Sequence, residues 1–139
     1  MMTIPDHQKR VTNNPKISVK TPRAASTFTL LNPKRLEVTV LEPEQFFPTG
    51  QWNCDFVFQA PAASAEIYVE LKGSDFLHAL EQLANTIKLL KSPLQPKKCF
   101  VVIRRSPSID TKMQKLLLDF GRRNKCTIKP KTQHCEHSL

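Results

Sequence analysis

Hydrophobic residues recur along this chain at two different periods. In 36–41, Leu36, Val38 and Val40 alternate with Glu37 and Thr39, the two-residue period of a half-buried strand. Thr27–Leu31 is rich in branched and aromatic residues and predicts another strand, with Asn32-Pro33 as the turn between the two. In 55–59, Asp55, Val57 and Gln59 share one face, and Cys54, Phe56 and Phe58 share the other. In 67–72, Ile67, Val69 and Leu71 point one way while Tyr68, Glu70 and Lys72 point the other. The short connection between these two strands predicts a hairpin. The period then lengthens. Phe76, Leu80, Leu83, Ile87 and Leu90 recur at steps of four and three, the stripe of an amphipathic helix over 75–91. Ser74 is its expected N-cap, and Pro93 and Pro96 stop it. The unbroken apolar run 99–103 predicts a buried central strand. Pro107 and Asp110 introduce a second helix with Met113, Leu116, Leu117 and Phe120 as its apolar side and Gly121 and Asn124 near its end. A short last strand is expected at 126–128.

This succession predicts an α/β fold, a small mixed β-sheet flanked by helices. The helix between Lys72 and Cys99 supplies the crossover that joins parallel strands. A length of 139 residues suits one domain with a modest core. A hydrophobic share of 40% implies that part of the chain is unpacked. The expected organisation is a basic flexible arm over 1–25, a single domain over 26–130 and a polar tail over 131–139. The arm carries Lys9, Arg10, Lys16, Lys20 and Arg23. Phe46, Phe47 and Trp52 fall in a proline-marked connection and are expected to be exposed aromatics.

Charge narrows the choice of partner. The formal net charge is +9 and the pI about 9.7, which favours a polyanion through phosphate neutralisation and counterion release. Arg104 and Arg105 leave the end of the apolar strand, and Lys112, Lys115, Arg122, Arg123 and Lys125 lie on or near the second helix. The arginines suit a nucleic-acid backbone or a helix that shows charge opposite its apolar side, and the lysines rather the latter. Residues 1–10 hold no apolar leader, and no run is long enough to span a bilayer. A cytoplasmic protein with reduced cysteines and no membrane contact is expected.

The candidate chemistry centres on Asp55, Glu70 and Lys72. Glu70 and Lys72 leave one face of a strand, and a hairpin brings Asp55 alongside Glu70. Two carboxylates, with the backbone carbonyl of Leu71, water and a substrate phosphate, suit Mg²⁺ or Mn²⁺. The ammonium of Lys72 would orient a water or stabilise charge at phosphorus. A surface ion pair between Glu70 and Lys72 is the plainer alternative. Gln82 on the following helix suits a water or phosphate, or simply a backbone group at the sheet edge. His78, one turn earlier, is a candidate for phosphate contact or faces solvent. Cys126, His134, Cys135 and His137 match no familiar zinc spacing.

Asp55, then Glu70-Leu71-Lys72, then a long helix resembles the PD-(D/E)XK nuclease superfamily over about residues 53–128. Cys54 stands where the family name has proline. Gln82-Leu83-Ala84-Asn85-Thr86 resembles the Gln-x-x-x-Tyr of some members, with threonine for tyrosine. The resemblance implies a restriction-endonuclease-like core and Mg²⁺-dependent endonuclease activity on DNA. Asp55 and Glu70 would hold the metal, Lys72 would assist the nucleophile and Gln82 would support them. A homodimer would let such a domain engage both strands, and a subunit of a larger complex is the other expected assembly. The family's fold usually opens with an acid-bearing helix, whereas this chain opens with strands; Glu37 and Glu44 are the candidates for that acid. The alternative is a catalytically silent nuclease-fold subunit that binds nucleic acid or protein.

Overall fold

A strand that alternates apolar and polar residues needs neighbours for its backbone and a cover for its apolar face. The computed structural model shows how both needs are met. It describes all residues except 23–24, 73–74 and 105–108, and at Lys72 the backbone alone. Among the described residues there are nine strands: β1 (Lys9–Thr12), β2 (Lys16–Val19), β3 (Thr27–Leu31), β4 (Val38–Leu41), β5 (Phe56–Ala60), β6 (Ala65–Lys72), β7 (Lys97–Ile103), β8 (Cys126–Thr132) and β9 (His134–Ser138). Helix α1 (Phe76–Leu90) joins β6 to β7, and α2 (Thr111–Asn124) lies between β7 and β8.

The fold is α/β, with a mixed six-stranded sheet in the order β1-β4-β5-β6-β7-β8 and a second sheet in the order β2-β3-β9. In the large sheet, β1, β4, β5 and β6 are antiparallel neighbours, and β6, β7 and β8 run parallel. The two crossovers each contain a helix, as parallel pairing requires. One face packs on the helices through Val57, Tyr68, Leu80, Leu83, Leu90, Val101 and Phe120. The other packs on the small sheet through Phe28, Leu30, Phe58, Ile67, Val69, Phe100 and Val102. Strand β6 is therefore buried on both sides, and each large apolar side chain there contributes about 1.5–3 kcal/mol.

Two expectations about the termini are corrected. The described part of the expected flexible arm 1–25 is built into the fold over 1–22. β1 pairs with β4 from Lys9↔Leu41 to Thr12↔Val38, and β2 pairs with β3 from Lys16↔Leu31 to Val19↔Phe28. Ile4, Ile17 and Val19 are buried. The tail 131–139 is not a free end either, since β9 lies parallel to β3 and buries Cys135. Both segments are too short and polar to show a period by themselves. Their order comes from the partner strand.

The helices follow their apolar stripes. α1 buries Phe76, Ala79, Leu80, Leu83, Thr86 and Leu90. Its N-cap is Asp75, whose side chain accepts the His78 N–H at 3.0 Å; the expected cap, Ser74, lies outside the described residues. α2 is capped by Asp110, which accepts the Met113 N–H at 2.8 Å; Pro107 lies outside the described residues. α2 ends at Lys125, in the left-handed region with φ 51°. Gly121 is needed just before that end, because a Cβ there would stand 2.7 Å from the carbonyl oxygen of Cys126.

Candidate functional site

The β5–β6 hairpin brings the two candidate acids together. Its register runs from Ala60↔Ala65 to Phe56↔Val69. Asp55 lies just beyond this ladder and continues it by donating its N–H to the Val69 carbonyl at 3.1 Å. Its Oδ2 accepts the Leu71 N–H at 2.7 Å. The Asp55 carboxylate is thus fastened to the strand that carries Glu70. Asp55, Glu70, Leu71 and Gln82 line one cleft of about 580 Å³. Asp55 is half-buried. Glu70 is only 2% exposed.

Helix α1 anchors the segment that leads into Asp55. Thr86 Oγ1 accepts the Cys54 N–H at 2.8 Å and donates to the Gln82 carbonyl at 2.7 Å. Gln82 Nε2 donates to the Asn53 carbonyl at 3.1 Å, and Asn85 Nδ2 to the Trp52 carbonyl at 2.6 Å. Gln82 Oε1 is buried and has no hydrogen-bond partner among the described residues. Thr86, set against a family tyrosine by the resemblance, is fully buried and does not line the cleft. It serves the backbone instead. Cys54 does not share the face of Phe56 and Phe58. β5 begins at Phe56, so the alternation does not reach back to Cys54, which packs with Val57 and Leu83 on the helix side. Burial pushes its thiol well above the usual range, against a smaller lowering influence of Thr86, and the charges of Glu70 and Asp55 add to the rise. A neutral, buried thiol is no nucleophile.

The remaining candidates fall in different places. His78 does not line the cleft; its ring meets Trp52 at 4.6 Å between centroids and 82° between planes. Arg104 is exposed just after β7 and also stands apart from the cleft. Arg105 lies outside the described residues. The backbone of Lys72 ends β6, paired with Ile103, and its side chain lies outside what is described. Cys126 packs on the helix side of the large sheet and Cys135 on the side of the small sheet. Phe46 and Phe47 are not exposed aromatics. Phe47 is buried and Phe46 half-buried, stacked edge-on at 5.4 Å, while Trp52 alone of the three remains 50% exposed. A short helical turn at Pro43–Gln45 rolls both phenylalanines inward.

Other cleft residues escape a local reading of the sequence. Lys20 and Thr21 follow β2, inside the expected arm, and Glu42 follows β4; all line the cleft, as does Glu44. Glu37 does not. Only the pairing of β1 and β4 and the seating of the second sheet bring these residues to the end of the hairpin. No local spacing signals it.

The oxygen donors here are the carboxylates of Asp55 and Glu70, with the carbonyl of Leu71 beside them. Among the described residues no group of three or more His, Cys, Asp or Glu side chains could hold an ion. Two carboxylates with a backbone carbonyl suit Mg²⁺, which keeps several waters and takes its other oxygens from substrate phosphate. They do not suit a closed structural site.

A second polar centre sits deeper and is self-contained. Lys97 Nζ donates to Glu66 Oε1 at 2.9 Å, to the Ser92 carbonyl at 2.8 Å and to the Leu94 carbonyl at 2.7 Å. These three acceptors use all three ammonium hydrogens. Tyr68 donates its hydroxyl to Glu66 Oε1, and Gln59 Nε2 donates to Glu66 Oε2 at 2.8 Å. Burial, reinforced by the Glu66 charge, raises the Tyr68 hydroxyl well above its usual range. With every partner satisfied, this cluster locks β5, β6 and β7 in register.

Among the described residues no helix is long and apolar enough to cross a bilayer. No family model, curated protein or solved structure matches the chain.

Proposed function

We propose that this chain is a Mg²⁺- or Mn²⁺-dependent nuclease that hydrolyses phosphodiester bonds of DNA. The observation that carries this reading is the convergence of Asp55 and Glu70, from the two strands of one hairpin, on a single cleft with Leu71 and Gln82. We further infer a restriction-endonuclease-like core, because that hairpin is followed by α1 and then by a parallel strand, β7. The net charge of +9 suits a polyanionic substrate.

In this reading Asp55, Glu70 and the Leu71 carbonyl oxygen hold the cation. When bound, the cation neutralises phosphate charge and lowers the pKa of a coordinated water. The chain's own residues do the rest. The Leu71 N–H fixes the rotation of the Asp55 carboxylate. Gln82 donates an N–H to the Asn53 carbonyl and so holds the segment that leads into Asp55. Lys72 supplies the ammonium that stabilises charge at phosphorus. Lys20, at the cleft wall, offers a second cation to the substrate backbone.

The test is nicking of supercoiled plasmid with and without Mg²⁺ or Mn²⁺. Metal-dependent nicking by the wild type, lost in Lys72→Ala and Glu70→Gln, is the expected result. Failure of every metal with supercoiled, linear and branched DNA would refute the proposal. A silent binding subunit is the second reading, favoured by the 2% exposure of Glu70. It is upheld if DNA binds with no cleavage and Glu70→Gln binds as the wild type does.

A further inference from the structure

Beside the cleft lies a second cavity of about 690 Å³, between residues 50–52 and the C-terminal parts of α1 and α2. Its lining includes Trp52, Gln51, Lys88, Arg123 and Lys125, with Glu81 as the one carboxylate among the described lining residues. Trp52 leaves 50% of its surface exposed. The exposed indole offers an aromatic face at the cavity. The residue is also held in place. Its carbonyl accepts Asn85 Nδ2 at 2.6 Å, its ring rests against His78, and its neighbour Asn53 is anchored by Gln82. Segment 51–53 is thus a fixed platform, with Trp52 in this cavity and Asn53 in the wall of the cleft that holds Asp55 and Glu70.

We propose that this cavity binds an unpaired base of a single-stranded nucleic acid, stacked on Trp52. The phosphates flanking that base would lie on Lys88, Arg123 and Lys125. An aromatic face with flanking cations is the common chemistry of strand binding without sequence readout. A paired base cannot present its face to an indole, so the cavity selects strands that are single or locally opened. The choice of ligand rests on reading the chain as a nucleic-acid enzyme. The site itself would make the preferred substrate a single strand or a junction, with the scissile bond a short span away across Asn53.

Trp52 is the only tryptophan of the chain, so intrinsic indole fluorescence reports on this residue alone. The protein is titrated in EDTA, where no bond is cut, with dye-labelled oligo(dT), oligo(rU) and a short duplex. Fluorescence quenching and anisotropy are read together. Quenching by a single strand of either sugar, with little by the duplex, is expected, and the tighter ligand identifies the sugar. Trp52→Ala should weaken single-strand binding about tenfold while Trp52→Phe stays within about threefold. Lys88→Ala and Arg123→Ala should each flatten the log-affinity against log-salt slope by about 0.7. Absence of quenching, equal quenching by duplex, or wild-type affinity in Trp52→Ala overturns the proposal. Plasmid nicking separates the two readings. A protein that nicks but shows no quenching loses this site alone, and one that quenches but never nicks loses the nuclease reading alone.

Discussion

Leu71 donates its backbone N–H to Asp55 Oδ2 at 2.7 Å, across the open end of the β5–β6 hairpin. The bond ties the carboxylate of one candidate acid to the backbone beside the other, so the Asp55 side chain is held against the strand that carries Glu70. Asp55→Asn keeps an acceptor for this N–H and loses the charge. Its urea midpoint should stay near the wild type while metal-dependent nicking falls on the order of 10²–10³-fold, the usual scale for removing an electrostatic group from a site. Asp55→Ala removes the acceptor as well and should cost a further ~1–3 kcal/mol of stability. Unchanged nicking in Asp55→Asn would remove Asp55 from the chemistry.

The Glu66–Lys97 pair is 2.9 Å apart, with the side chains 0% and 6% exposed. Lys97→Met leaves the Glu66 carboxylate buried without its ammonium and should destabilise the protein by ~3–5 kcal/mol in urea denaturation. Adding Glu66→Gln should recover much of that loss, because the stranded charge is gone. Additive losses in the double variant would mean that the two side chains are not coupled.

Burial raises the thiols of Cys54 and Cys99. Above the ordinary thiol value of 9.0 the unfolded chain releases protons that the folded chain keeps. Stability is therefore fully present below about pH 9 and falls as pH rises beyond it, by about 1.4 kcal/mol per pH unit for each such group. Urea midpoints measured from pH 8 upward should show that decline, and Cys54→Ala should make it shallower. Cys126 behaves oppositely. It is half-buried, and its thiol is lowered, chiefly by its hydrogen bond with Cys99 and further by the Lys97 charge. Iodoacetamide should modify Cys126 before Cys54 or Cys99, as read by peptide mass spectrometry.

In Gly121→Ala, helix propensity alone would favour alanine by up to about 1 kcal/mol. The new Cβ would stand 2.7 Å from the backbone oxygen of Cys126, where β8 begins. Backbone at a strand start yields little, so a net loss of ~1–3 kcal/mol is expected. A melting temperature at or above that of the wild type would refute the close contact.

Elements with a full period were legible in the chain. The stripe from Phe76 to Leu90 marks α1 to within a residue at each end, and Thr27–Leu31 coincides with β3. The hairpin was legible because Asp55 and Glu70 flank two alternating runs joined by a short turn. The strands at the two ends leave a weak signal, since Ile17, Val19 and Cys135 offer too few apolar positions to mark them. The inward turn of Phe46 and Phe47 leaves no local signal, because proline marks a loop without saying which way its side chains turn.

Periodicity by itself determined the helices, the hairpin and the neighbourhood of Asp55 and Glu70, since these depend on residues close together in the chain. Tertiary structure alone decided that Lys20 and Glu42 wall the cleft, that Thr86 serves the Cys54 N–H, and that Lys97 meets Glu66. Each of those contacts joins segments distant in sequence. Such contacts are set by which strand lies beside which, and strand order leaves no trace in local spacing.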